Sequence, residues 1–464
     1  MKKLIPIEHT LKGLAAAELR SSDLVNACLH AIEDASGEGS RTFIGTYSDS
    51  ARAAAEQFDV HRAAGPLGGL PVSIKDLFDV AGERTTAGSV VLADARPANA
   101  DSWAVARLRA AGAIVLGKTN MTEFAFSGLG LNPHYGTPCN PYDRGSQRIP
   151  GGSSSGAAVS VADGMAHAAV GSDTGGSVRI PAALCGLTGF KPTARRVPLE
   201  GALPLSFTLD SIGSIAPTVA CCARIDAVLA GAALLAMPPI DLKGLRLGVL
   251  QGYVMDGIDP SVSVAFSAAL ELVSRCGAQV NDVTFPSLKE IPIANQKGGF
   301  AAAEAYTWHR SLLEKDASRY DPRVASRILR GKEMSAADHI ELVRVRRQIV
   351  AEAGRAFAGY DAILMPTVPR IAPCIADVQA TDAAYFEANT AMLRNPSVIN
   401  FLDGCALSVP CHRPGEAPVG LMIAGLTMQD EKILSVGAAI ESALAANGHA
   451  VHGLYFKARS TTFV

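Results

Sequence analysis

Pro150-Gly151-Gly152-Ser153-Ser154-Ser155-Gly156-Ala157-Ala158, followed by Asp173-Thr174-Gly175-Gly176-Ser177, is the stretch that decides how this chain reads. A Gly-Gly-Ser run occurs twice, and Ser177 follows Ser153 by 24 residues. Each run sets serine hydroxyls among glycines, which leave backbone N–H groups uncovered. One hydroxyl can attack a carbonyl, and neighbouring N–H groups can hold the oxyanion that results. The missing part is a base. Upstream, Gly69-Leu70-Pro71-Val72-Ser73-Ile74-Lys75-Asp76 offers Lys75 at the end of an apolar strand.

A serine hydroxyl needs a partner to take its proton. None of the ten histidines sits in a promising context: His167 lies in an apolar run, and His134 and His412 lie in proline-containing loops. A lysine can serve if burial or a nearby cation lowers its pKa. From the local sequence alone, Lys75 is either such a buried amine or a surface partner of Asp76 or Asp79.

Working outward, strand and helix patterns alternate along the chain, which argues an α/β layered fold on one central sheet. The periodicity predicts two amphipathic helices over 8–35, with Ser21-Ser22-Asp23 capping the second, and a helix over 48–64. Further helices are predicted over 101–111, 157–162, 262–276, 340–357 and 431–446. Strands are predicted over 70–74, 113–116, 245–250, 362–365, 406–409 and 420–423. The segment from about 285 to 340 has weaker strand signals and reads as a peripheral helical insertion.

Gly112-Ala113-Ile114-Val115-Leu116-Gly117-Lys118-Thr119 fits the phosphate-loop pattern G-x-x-x-x-G-K-[ST]. Its four intervening residues are apolar and partly β-branched. They read as a strand, whose N–H groups belong to a ladder rather than to a phosphate. The match is refused.

Bulk properties exclude several classes. The 464 residues are 48% hydrophobic and 19% charged, enough for a large core and against bulk disorder. A net charge of −2 gives no argument for nucleic acid or an anionic membrane. Nine scattered cysteines without a C-x-x-C read as reduced thiols of a cytoplasmic protein. Met1-Lys2-Lys3 opens like a signal peptide, but Pro6, Glu8 and Lys12 interrupt any apolar core. The longest apolar run, 227–240, is too short to span a bilayer and ends in Pro238-Pro239.

The chain from Gly68 to about Gly213 resembles the amidase signature family of serine hydrolases. The resemblance rests on Gly69 to Asp76, Gly117-Lys118-Thr119-Asn120-Met121-Thr122-Glu123-Phe124, Pro150 to Ala158, and Asp173 to Phe190 with Lys191-Pro192-Thr193. Looser similarity runs through Tyr360-Asp361-Ala362-Ile363-Leu364-Met365-Pro366-Thr367 to the C-terminal helix. The resemblance implies one domain over 1–464 with a central mixed β-sheet covered by helices on both faces. Its parts would be an N-terminal helical part (1–65), a signature core (66–240), a helical insertion or lid (285–345) and a C-terminal part of the sheet (355–464).

It also implies a site. The nucleophile falls on Ser177, a bridging serine after a cis peptide bond on Ser153, and the base on Lys75. The oxyanion hole falls on the N–H groups of Thr174, Gly175, Gly176 and Ser177. Ser154 would support Lys75 by hydrogen bonding, and Asp173 and Arg179 would brace the loop. The acyl pocket falls on Phe124, Ala125, Phe126, Ser127 and Gly128. Phe300, Tyr306 and Trp308 are either a lid or simply core. The implied mechanism passes a proton from Ser177 through Ser153 to neutral Lys75 and goes through an acyl-enzyme. No metal or cofactor is expected.

The implied substrate is a small or aryl amide, extending to carbamates, and the implied assembly a monomer or homodimer. The alternative within the resemblance is the glutaminase component of a tRNA-dependent amidotransferase. That component carries a Tyr-Gly-Arg-Val-Ser-type stretch after Lys-Pro-Thr. Here Ala194-Arg195-Arg196-Val197-Pro198-Leu199-Glu200-Gly201 follows instead, which is closer to the stand-alone amidases. Asn400-Phe401-Leu402-Asp403-Gly404-Cys405-Ala406 and Leu421-Met422 also depart from common family patterns, on the side that contributes to the pocket.

Overall fold

The computed structural model describes residues 4–62, 65–234 and 240–450. Met1-Lys2-Lys3, the end of the helix expected over 48–64, and Pro238-Pro239 lie outside the described residues. Eleven strands appear in chain order: β1 (Phe43–Thr46), β2 (Pro71–Lys75), β3 (Ile114–Thr119), β4 (Ala168–Ser172), β5 (Thr188–Lys191), β6 (Ile212–Ala216), β7 (Arg246–Leu250), β8 (Gln279–Val283), β9 (Ala362–Pro366), β10 (Cys405–Pro410) and β11 (Gly420–Gly425). They form one sheet in the order β1-β3-β2-β4-β6-β5-β10-β11-β9-β7-β8. Strands β3, β2 and β4 run parallel, as do β9, β7 and β8, while the centre from β4 through β6, β5, β10 and β11 to β9 is antiparallel. This single domain with a mixed sheet flanked by helices is the architecture the resemblance implied.

Alternation along the strands explains why β9 and β11 are apolar throughout. Side chains of a strand point to opposite faces in turn. In β9, Ala362 and Leu364 join one apolar cluster while Ile363 and Met365 join another. In β11, Leu421 and Ile423 split from Met422 and Ala424 in the same way. Both faces of these strands are covered, so no polar alternation survives in them, while the edge strand β8 stays polar and largely exposed.

The helix Ser21–Glu33 begins one residue earlier than a serine cap would require, with Arg20 at the N-cap. Ser21 and Ser22 do not cap it. Their N–H groups donate to the Asp59 carboxylate at 2.7 and 3.1 Å, and Ser21 Oγ turns away to Gly69 O. A cap supplied from a distant helix leaves no local spacing to read.

Residues 114–119 are a buried strand paired with β1 and β2. Lys118 donates to Arg84 O and Thr85 Oγ1 and pairs with Asp76 at 3.5 Å. The lysine of the phosphate-loop pattern is thus committed to the protein. The 285–345 segment is helical, with helices Gly299–Asp316 and Pro322–Leu329 and the start of Ala336–Phe357.

Candidate active site

The carboxyl ends of the parallel strands β2 and β4 open side by side, which is where α/β sheets place their sites. Lys75 ends β2 and Ser172 ends β4. The loop 173–177 leaves β4 and runs into the short helix Arg179–Leu184, while Ser153 and Ser154 precede the helix Ser155–Ala162. Close packing requires glycine here. A Cβ on Gly171 would stand 2.6 Å from Ser154 Oγ, and Gly176, at φ 125°, would collide with Pro396 Cβ at 2.5 Å.

Lys75 is wholly buried and faces neither Asp76 nor Asp79. Its Nζ lies 2.7 Å from Ser153 Oγ and 2.9 Å from Ser172 Oγ. Burial pushes the amine down to about 7, against the opposing pull of the Asp173 and Asp210 carboxylates. A substantial neutral fraction therefore exists near pH 7. Asp76 turns the other way, to Lys118, Thr86 Oγ1 and Gly88 N–H.

Ser154 does not take the supporting place expected for it. Its N–H donates to Ser177 O at 3.2 Å, and its hydroxyl reaches Ser172 O at 3.4 Å. Ser172 supplies the hydroxyl on the lysine instead. The sequence reading missed Ser172, whose only signal is its place at the end of an apolar segment directly before Asp173. The Gly152–Ser153 peptide bond is cis.

Asp173 and Arg179 form a wholly buried ion pair, with Nη2 to Oδ1 at 2.9 Å and Nε to Oδ2 at 3.1 Å. The Asp173 carboxylate also accepts from Gly176 N–H at 2.8 Å and Val178 N–H at 3.1 Å. Despite burial, the Arg179 charge and its hydrogen bonds, with the Lys191 charge and the Asn400 amide, hold the carboxyl well below its usual range. Two of the unusual C-terminal residues complete the brace. Asn400 Nδ2 donates to Asp173 Oδ1, Asn400 Oδ1 accepts from Arg179 Nη2, and Met422 Sδ accepts from Arg179 Nη1.

This brace corrects the oxyanion set. Gly176 N–H is committed to Asp173 and Gly176 does not line the cavity. Thr174, Gly175 and Ser177 do line it, and their N–H groups meet no protein acceptor among the described residues. Thr174 is held by its hydroxyl, which donates to Asp210 Oδ1 at 2.5 Å. Asp210 in turn accepts from Leu205 and Ser206 N–H, and burial raises its carboxyl to about 6.

The cavity beside Ser177 has a volume of about 650 Å³. Ala125, Phe126 and Ser127 line it as expected, but Phe124 and Gly128 do not. Phe124 adopts φ 50° and turns into a cluster with His309, Tyr320 and Trp308, at ring separations of 4.4, 5.3 and 6.1 Å. Gly128 is committed to the protein: its N–H donates to Asn389 Oδ1 and its carbonyl accepts from Gly152 N–H at 2.8 Å. Of the two alternatives for Phe300, Tyr306 and Trp308, the structure chooses core: all three pack in apolar clusters. The insertion still covers the cavity, through Ile291, Asn295, Ala301 and Arg327. Among the described residues no group of His, Cys, Asp and Glu is placed to hold a metal ion.

A mixed sheet carrying a buried lysine–serine pair and a glycine-braced serine loop at its parallel strand ends defines the amidase signature class of fold. The chain belongs to the Amidase family, hydrolases of amide C–N bonds, whose family model matches residues 23–434. It is 37% identical to 2-amino-5-chloromuconic acid deaminase of Comamonas testosteroni, over 96% of this chain and 97% of that one. It is 34% identical to a component of the glutamyl-tRNA(Gln) amidotransferase of Chloroflexus aggregans, over 93% of this chain and 94% of that one. A crystal structure of an amidase superposes with a TM-score of 0.84 at 31% identity, covering 94% of this chain and 99% of the other.

Proposed function

We propose that the protein is a self-sufficient amidase acting on a small amide through an acyl-enzyme on Ser177. Neutral Lys75 takes the proton of Ser153, and Ser153 takes that of Ser177 as its Oγ attacks the carbonyl carbon. The N–H groups of Thr174, Gly175 and Ser177 receive the oxyanion. The relay then runs backward, the proton leaves with the amine or ammonia as the C–N bond breaks, and water releases the acid. One observation carries the reading: a fully buried lysine amine, poised near pH 7, within 2.7 Å of a serine hydroxyl. Each oxyanion donor is worth roughly 2.7–4 kcal/mol of barrier. Carbamates fit the same chemistry, and the nine scattered free cysteines, seven of them buried, support a cytoplasmic location.

The test is p-nitroaniline release from p-nitroanilides and N-(p-nitrophenyl) carbamates and ammonia release from primary amides, with intact mass of the trapped protein. Turnover by the purified chain and an acyl adduct absent from Ser177→Ala support it. A second reading, a component of a tRNA-dependent amidotransferase, is favoured by the 34% identity to the Chloroflexus aggregans protein. It predicts ammonia release from glutamine only in the presence of partner proteins.

A further inference from the structure

The cavity wall carries three arginines, Arg327, Arg330 and Arg394, and no aspartate or glutamate. None of the three has a carboxylate within ion-pair distance among the described residues. Neighbouring arginines on the same two helices and beside them do: Arg323 meets Asp382 at 2.8 Å and Arg370 meets Glu387 at 3.0 Å. Arg327 is partly buried. It stacks 4.7 Å over the Phe126 ring and donates one Nη1–H to Phe126 O, so most of its five donors remain uncommitted. Arg394 donates to Asn395 Oδ1 at 3.0 Å and Val254 O at 3.3 Å, both neutral acceptors. Arg330 lies at the exposed rim and donates to Gln296 O. Burial lowers Arg327 only to about 10, so it is charged at neutral pH.

Partly buried guanidinium groups are ordinarily paired, because desolvation without a counter-charge is costly. Three cations of one sign in a concave, low-dielectric space favour an anion there. The planar fork of arginine suits a carboxylate, which it binds by two parallel hydrogen bonds. We infer that the substrate is an anionic amide, carrying a carboxylate remote from the scissile C–N bond that is bound by Arg327 and Arg394, with Arg330 drawing it in at the rim. The inference rests on the Ser177 reading for the position of the scissile bond, while the anion site stands on the arginines.

Two experiments separate the two claims. The first needs no catalysis. Ser177→Ala protein is titrated calorimetrically with succinate, glutarate and adipate, and with the corresponding neutral diamides. The dicarboxylates are expected to bind, and the diamides at least tenfold more weakly. Affinity should fall with added salt and fall tenfold or more in Arg327→Gln and in Arg394→Gln, with Arg327→Lys intermediate. Equal binding of diacids and diamides, or affinity unmoved in both glutamine variants, would overturn the proposal. Two independent variants guard against one that misfolds.

The second experiment compares wild-type kcat/KM for succinyl mono-p-nitroanilide and butyryl p-nitroanilide. A preference of tenfold or more for the charged anilide, expressed mainly in KM and collapsing toward one in Arg327→Gln, is expected. Equal use of both would overturn the anionic substrate. Dicarboxylate binding without turnover of either anilide would sink the Ser177 reading and leave the anion site standing.

Discussion

Ser172 Oγ stands 2.9 Å from Lys75 Nζ, on the strand next to the lysine's own and beside the 2.7 Å contact with Ser153. A neutral amine has two N–H donors and one lone pair. With one N–H directed at Ser172, the lone pair can face the Ser153 hydroxyl, which is the arrangement a base needs. The ammonium form depends more on this acceptor than the neutral form does. Ser172→Ala should therefore lower the Lys75 pKa below its value of about 7. The acid limb of the kcat/KM profile then moves to lower pH by roughly one unit, since a hydrogen bond to a charged group is worth about 1.5–3 kcal/mol. A limb that stays in place or moves upward would show that Ser172 does not tune the lysine.

Ser177 Oγ makes no hydrogen bond to the protein among the described residues, so its removal leaves no buried partner unsatisfied. Ser177→Ala should keep stability within about 0.5 kcal/mol. Turnover should fall by roughly 10⁶-fold, the scale seen when a nucleophile is deleted from a working serine site. Steady-state rates and a urea melt measured together check both halves. Residual activity above a tenth of wild type would remove Ser177 from its role.

Asp210 acts on the same lysine from a distance. Its carboxylate, with that of Asp173, favours the charged amine. Asp210→Asn removes the charge; its one oxygen can keep the Leu205 and Ser206 N–H groups, while its amide NH2 turns to donate to Thr174 Oγ1. The ammonium form loses stabilisation, so the acid limb of the kcat/KM profile should again shift to lower pH. An upward shift would mean that Asp210 acts through the loop geometry rather than through its field.

How much of this was legible follows from what each part rests on. Strands β2, β7, β9, β10 and β11 show in the sequence because they are continuous apolar runs buried on both faces. Strands β4, β5 and β6 escape because Gly171, Ser172, Gly189, Gly213 and Ser214 dilute them. Those small residues serve close packing, as the Cβ contacts at Gly171 and Gly189 show, and close packing is a tertiary fact. The helix Asp382–Phe401 escapes for a related reason: Pro396 lies inside it, and its Cβ packs against Gly176. At the site, Lys75, Ser153 and Ser177 come from the motif. Ser172 lies directly before Asp173, but only the neighbouring strand shows that it meets Lys75; Asn389, Asn400 and the three arginines of the cavity come from helices distant in sequence, where no spacing rule reaches. The family pattern places Gly176 among the oxyanion donors, and only the Asp173 contact shows that its N–H is in use.

The Asp173–Arg179 pair also carries stability. Both side chains are wholly buried, and the pair is completed by Asn400. Asp173→Ala would leave the Arg179 guanidinium uncompensated and free the Gly176 and Val178 N–H groups. Breaking one side of a buried pair costs about 3–5 kcal/mol. Urea unfolding should show a loss of that order, with activity lost in parallel because the loop holding Thr174, Gly175 and Ser177 is no longer fixed. A change below about 1 kcal/mol would mean the pair is dispensable to the fold.

Glu441 predicts a pH effect remote from the site. It is buried on the helix Asp430–Ala446, where its Oε1 accepts from Val219 N–H at 2.9 Å and from Thr188 Oγ1 at 3.2 Å. Burial outweighs these donors and raises the carboxyl from 4.5 to about 8. A raised carboxyl is protonated in the folded chain where the unfolded chain has already ionised. Folding stability is therefore undiminished below about pH 4.5 and drains away as pH rises toward 8, at up to about 1.4 kcal/mol per pH unit. Glu441→Gln keeps an acceptor for Val219 and Thr188 and cannot ionise. Its unfolding free energy should match wild type near pH 5 and exceed it increasingly up to pH 8, then run parallel above. A difference between the two proteins that does not change with pH would mean Glu441 is ionised in the folded chain.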